Sequence, residues 1–112
     1  MRAPLFCLLV FLAACETFTV APDPCPLTVT NGTSDSLWYV YVREAGAADW
    51  GQDVLDVDTL ADGESVVVDV EGGTSSDVRG TWAGGETFTR YDVAQCDDGE
   101  ELGLVLSLSD QD

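Results

Sequence analysis

A chain of 112 residues is long enough for one domain with a single modest core. Its charge is lopsided: four arginines, no lysine, no histidine and 21 acidic residues give a formal net charge of −17. So acidic a molecule repels nucleic acid and anionic lipid head groups, which leaves solubility, a divalent cation or a basic partner as uses for the charge. Without histidine or lysine most nucleophile–base pairs are missing. Carboxylate-only chemistry needs a cleft for which a small domain with short turns has little room. Neither an enzymatic activity nor a cofactor is expected.

In chain order, Arg2 is followed by the uninterrupted apolar run Leu5–Leu12, then by Ala13, Ala14 and Cys15. A charged start, a short apolar run and small residues at its end describe a secretory signal peptide, too short to span a bilayer. Leu12-Ala13-Ala14-Cys15 resembles the lipobox of bacterial lipoproteins. The resemblance implies transfer of a diacylglycerol to the Cys15 thiol, cleavage before Cys15, acylation of the new amine, and residence in the bacterial envelope. Its partner would be the membrane, reached through the N-terminal lipid. One acyl chain binds reversibly and two or more hold stably. A plain signal peptide cut after Ala14 is the alternative.

This divides the chain into a signal peptide over 1–14, a lipidated cysteine and tether over 15–24, and a domain over 25–112. Pro22-Asp23-Pro24 stiffens the end of the tether. With Cys7 removed and Cys15 acylated, Cys25 and Cys96 remain as a disulfide pair in an oxidising compartment, two free thiols being the alternative. No histidine is present to complete a metal site with them.

From Leu27 the chain reads as short strands separated by turn residues. Leu27–Thr30 alternates, and Asn31-Gly32-Thr33-Ser34-Asp35 reads as a turn. Leu37–Val42 is rich in aromatic and β-branched residues on both faces, which predicts a central, doubly covered strand. After a loop over Ala45–Trp50, the turn Ala61–Glu64 leads into Ser65–Val70, with Val66, Val68 and Val70 on one face. Asp77–Trp82 and Glu86–Val93 form an expected hairpin around Ala83-Gly84-Gly85. The closing strand, Glu101–Ser109, points Leu102, Leu104, Leu106 and Leu108 inward. Outside the expected signal peptide no apolar 3.6-residue period persists for ten residues. The expected fold is therefore all-β, an antiparallel β-sandwich (Ig-like or similar) of about six to seven strands.

Asp49, Asp53, Asp56 and Asp58 lie close in sequence, and Asp97-Asp98-Gly99-Glu100-Glu101 forms a second acidic group. Oxygen ligands on loops suit Ca²⁺, although neither group has the spacing of the helix-flanked calcium loop, and solvated turns are the plainer reading. Trp50 before Gly51 is either a recognition anchor or, the preferred reading, a cap on the open end of the sandwich. Arg79, among so many acids, is expected to find a carboxylate.

Several of these stretches together, Thr30-Asn31 to Trp38, Tyr41-Val42, Asp49-Trp50-Gly51-Gln52-Asp53-Val54-Leu55 and Leu60–Ser65, occur in a recognisable order. With Asp77-Val78-Arg79 and the cysteine after Tyr91-Asp92-Val93, they resemble a set of small secreted or lipid-anchored bacterial β-sandwich domains. That set carries a Trp-Gly-x-Asp-Leu-Leu-like loop, and the resemblance implies a fold and a compartment but no activity. Ser76 replaces an aromatic residue of that pattern, and Ala83–Glu86 a more Asp-rich turn. The function expected is a non-catalytic surface or periplasmic module, structural or protein-binding. The alternative is a Ca²⁺- or carbohydrate-binding accessory domain, with an exposed aromatic row favouring carbohydrate and converging aspartates favouring calcium.

Overall fold

A computed structural model describes residues 22–93 and 95–112. The expected signal peptide and Cys15 lie outside the described residues. Among the described residues six strands follow in order: β1 (Cys25–Gly32), β2 (Leu37–Glu44), β3 (Ser65–Val70), β4 (Ser76–Trp82), β5 (Thr87–Val93) and β6 (Leu102–Ser107). They form two three-stranded sheets, β3–β1–β6 and β2–β4–β5, packed as a sandwich. The expected all-β sandwich is present.

The core lies between the sheets and follows the alternation seen in sequence. Leu27 and Val29 of β1, Val70 of β3, and Leu104 and Leu106 of β6 meet Leu37, Val40, Val78, Phe88 and Val93 of the other sheet. Trp82 tilts against Phe88 with ring centroids 4.7 Å apart, an arrangement favoured by the ring quadrupoles. The hairpin β4–β5 turns at Ala83–Glu86, where Gly85 takes a φ of +97° that few other residues adopt.

Four expectations are corrected. First, β2 is an edge strand, and the centre of its sheet is β4, Ser-Asp-Val-Arg-Gly-Thr-Trp. Only one face of β2 is packed on the core, and Trp38 and Tyr39 of the same strand are exposed. Its edge is covered instead by the segment after Trp50. Val54 N–H donates to the Val40 carbonyl (2.8 Å), Leu37 and Leu60 exchange both backbone hydrogen bonds, and Leu55 and Leu60 are buried. Covering an edge removes a row of free backbone groups from solvent.

Second, Asn31-Gly32 is not a turn but the end of β1. Asn31 is fully buried. Its Nδ2 donates to the carbonyls of Asp35 (2.7 Å) and Leu60 (2.8 Å), and its Oδ1 accepts from the Thr33 amide (2.9 Å) and hydroxyl (2.6 Å). The Thr33 hydroxyl in turn accepts from Trp82 Nε1 at 2.8 Å. Gly32 is required by close approach. A Cβ there would lie 2.8 Å from Val105 Cγ1 and 2.9 Å from the Leu106 carbonyl oxygen of β6.

Third, β6 runs parallel to β1, with Leu27 opposite Leu102 and Gly32 opposite Ser107, whereas the β1–β3, β2–β4 and β4–β5 pairs are antiparallel. A parallel pair needs a crossover, here the whole chain between β1 and β6. Fourth, the closing strand stops at Ser107. Residues Leu108–Asp110 form a 3₁₀ turn, so Leu108 is 51% exposed and not inward. The turn carries Gln111 and Asp112 alongside β5, where the Asp112 amide donates to the Thr87 carbonyl at 2.9 Å.

Cys25 and Cys96 form a disulfide that joins the first residue of β1 to the β5–β6 connection. The end of the expected tether is fastened beside it: Asp23 N–H donates to Asp98 Oδ1 (2.7 Å), and Gly99 N–H to the Asp23 carbonyl (3.1 Å).

Candidate functional site: an aromatic and arginine face on one sheet

Strand alternation and register decide what the outer face of β2–β4–β5 carries. With Val40 and Val42 turned to the core, Tyr39, Tyr41 and Arg43 of β2 face outward. Opposite them on β4 stand Thr81, Arg79 and Asp77, and Thr89 of β5 pairs with Arg79. The bulge between Leu37 and Tyr39 puts one extra residue, Trp38, into this edge.

Trp50 completes the face. Its ring centroid lies 4.0 Å from the Arg43 guanidinium carbon, 4.6 Å from that of Arg79, and 6.5 Å from the ring of Tyr91. It does not cap the open end of the core, as the sequence suggests; it lies on the outside of a sheet. The motif that contains it sorts its residues by direction. Trp50 goes outward and Leu55 goes into the core. Asp53 Oδ1 accepts from the amides of Val40 (2.9 Å) and Leu55 (3.0 Å), taking the place of a neighbouring strand at the edge of β2. Replacing Trp50 with alanine is thus expected to cost about 2 kcal/mol, the scale of two cation–π contacts on a half-buried ring, and not the loss of a core aromatic. Urea denaturation of the variant measures it.

Beneath the aromatic rings is a buried ion pair. Asp77, 2% exposed, accepts from Arg43 Nε (2.8 Å) and Gly46 N (3.3 Å) through Oδ2, and from Asp92 N (2.8 Å) through Oδ1. Burial pushes the Asp77 carboxyl up, but the Asp92 amide, the Arg43 guanidinium and the Gly46 amide outweigh it and hold it below its ordinary value. Asp112 behaves alike. Burial raises it, while the Thr89 and Thr87 hydroxyls and the Arg79 charge bring it below its ordinary value.

The sign of the pH dependence follows. A carboxyl with a depressed folded pKa contributes stability that is complete above the unfolded value, near 3.8, and lost as pH falls through the folded value. Asp77→Asn is expected to cost about 2 kcal/mol at neutral pH, the scale of hydrogen bonds to a charged group. It should also flatten the acid limb of the curve of Tm against pH, which thermal denaturation from neutral pH downward records.

The sequence-predicted residues separate. Cys25 and Cys96 meet, Arg79 finds Asp112 at 4.0 Å, and Cys15 lies outside the described residues. The acidic groups are used locally: Asp53 holds β2, Asp98 holds Asp23, and Glu100 Oε1 accepts from Asp97 N at 2.8 Å. Among the described residues no three carboxylates or cysteines stand together as a metal site. Sequence reasoning missed Tyr39, Tyr41 and Tyr91 as surface residues. The signal was there in β2, where Tyr39, Tyr41 and Arg43 alternate with Val40 and Val42. No protein-family model, curated protein or solved structure matches the chain.

Proposed function

We propose that this protein is a lipid-anchored, non-catalytic module of the bacterial cell envelope that makes its contacts through the outer face of β2–β4–β5. The observation that carries the reading is that face itself. Tyr39, Tyr41, Trp50 and Tyr91 gather there around Arg43 and Arg79, and Tyr39 and Tyr91 remain 43% and 59% exposed. Tyrosine, tryptophan and arginine are the residue types enriched where proteins bind. The anchor rests on the lipobox-like Leu12-Ala13-Ala14-Cys15, and the Cys25–Cys96 disulfide is in keeping with an oxidising compartment. The fastening of Asp23 beside that disulfide would hold the anchored end of the chain at the end of the sandwich where β1 begins.

The test of the anchor is the intact mass of the protein extracted from membranes of its own host, with and without reduction. A chain beginning at Cys15 and carrying acyl groups is expected, gaining one pair of hydrogens on reduction. A soluble, unmodified chain would remove the anchor from the proposal.

A further inference from the structure

We infer that the outer face of β2–β4–β5 binds an uncharged polysaccharide, an inference that rests on the reading of this face as the contact surface. Three observations converge on that ligand. The described residues hold seven aromatic side chains, and of these only Trp82 and Phe88 pack with the core. Trp38, Tyr39 and Tyr91 are exposed, and Tyr41 and Trp50 are half-buried. Aromatic surface gathered on one face in this way marks a contact site.

The rings also stand in two pairs on the face. Tyr39 and Tyr41 are close to parallel, 16° apart with centroids separated by 6.4 Å, and Trp50 and Tyr91 lie 6.5 Å from each other, tilted by 48°. Spacings of this size are on the scale of one sugar ring. The C–H face of a pyranose is apolar and stacks on an aromatic ring, while its hydroxyls lie at the rim. There they would meet the guanidinium and carboxylate groups of Arg43, Arg79 and Asp112 and the hydroxyls of Thr81 and Thr87.

Charge decides between classes of glycan. Among the described residues each arginine already has an aspartate: Arg43 with Asp77 (2.8 Å), Arg79 with Asp112 (4.0 Å) and Arg90 with Asp110 (3.8 Å). The face therefore offers no surplus cation to an acidic polymer, and the net charge of −17 repels one. An uncharged chain meets neither penalty.

The experiment is native affinity electrophoresis of the full-length protein, in a detergent without a sugar head group. The gels carry hydroxyethylcellulose, xyloglucan or glucomannan, with polygalacturonate as the anionic control. Retardation by at least one neutral polymer and not by polygalacturonate is expected, and it should be unchanged by salt. Tyr39→Ala and Tyr91→Ala are expected to weaken it by about tenfold each, at an unchanged Tm because both side chains are exposed. No retardation by any of the three neutral polymers would overturn the inference. So would retardation that survives the double variant, or that disappears at high salt. A protein partner held by the same face without glycan binding also counts against it. The mass measurement stands apart: an acylated Cys15 with no glycan retention removes the polysaccharide and leaves the anchor.

Discussion

Replacing both Cys25 and Cys96 with alanine is expected to lower stability by about 4 kcal/mol, the loop-closure value for a cross-link of this span. For a domain of this size that is a fall in Tm of about 20 °C. Total stabilities are on the order of 5–15 kcal/mol, so the variant would approach the limit of folding. The cost is large because of what the bond joins. Cys25 begins the central strand of its sheet, and Cys96 belongs to the connection that returns the chain to β6 on the other side of that strand. The connection has few other ties there: Gly73 N–H donates to the Cys96 carbonyl and Cys96 N–H to the Thr74 carbonyl, each at 2.8 Å. Without the bond, β1 frays from its first residue and Asp23 is released with it. Amide hydrogen exchange should rise first at Leu27 and Thr28, before it rises in β4. A loss below about 1 kcal/mol in urea denaturation would mean that the strand ladders alone fasten this end.

Asn31→Leu is the second large effect, expected to cost about 3 kcal/mol with the number and branching of side-chain heavy atoms kept. Asparagine here uses both ends of its amide. It donates to Asp35 and Leu60 and accepts twice from Thr33, with Asn31 and Thr33 themselves fully buried. Leucine leaves two carbonyls and an amide in the interior without this partner. The Thr33 hydroxyl keeps Trp82 and the Asp35 carbonyl (3.1 Å) but loses its shortest acceptor. Because the side chain links β1, the loop before β2 and the segment at Leu60, the cost is spread over three pieces of chain. Denaturation with an unchanged m-value and a lower midpoint is the expected signature. Asn31→Asp should be worse, since it sets a carboxylate against two carbonyl oxygens. If the aspartate variant were as stable as the wild type, the hydrogen-bond account of this residue would fail.

Asn31 also shows where local sequence reasoning stops. Asn-Gly between two apolar runs is a strong turn signal, because both residues tolerate positive φ. Here the pair continues β1 for a different reason in each case. Gly32 lets the backbone of β6 come within reach, and Asn31 supplies hydrogen bonds to chain segments that local sequence does not place beside it. The misplacement of β2 has a similar origin. Its apolar residues mark it as a good strand, but the middle of a sheet is set by which strands pair, and β4 takes it with Ser76 and Asp77 buried. Of the candidate face, Trp50 and Arg79 were legible as residues worth attention. That they lie together with Tyr91, and that Tyr39 and Tyr41 share their side, was not.

By itself the sequence determined the all-β class, the alternation that divides Leu27, Val29, Val70, Leu104 and Leu106 from their outward neighbours, the β4–β5 hairpin, and the two cysteines available to pair in the domain. Each of these is a local property: period-two patterning, turn chemistry, or a count of one residue type. The tertiary structure alone decided the edge position of β2, the parallel pairing of β1 with β6, the burial of Asn31 and the grouping of aromatic side chains on one outer face. Those depend on contacts between segments distant in the chain, and a strand pattern records which face is apolar without recording what lies beside it.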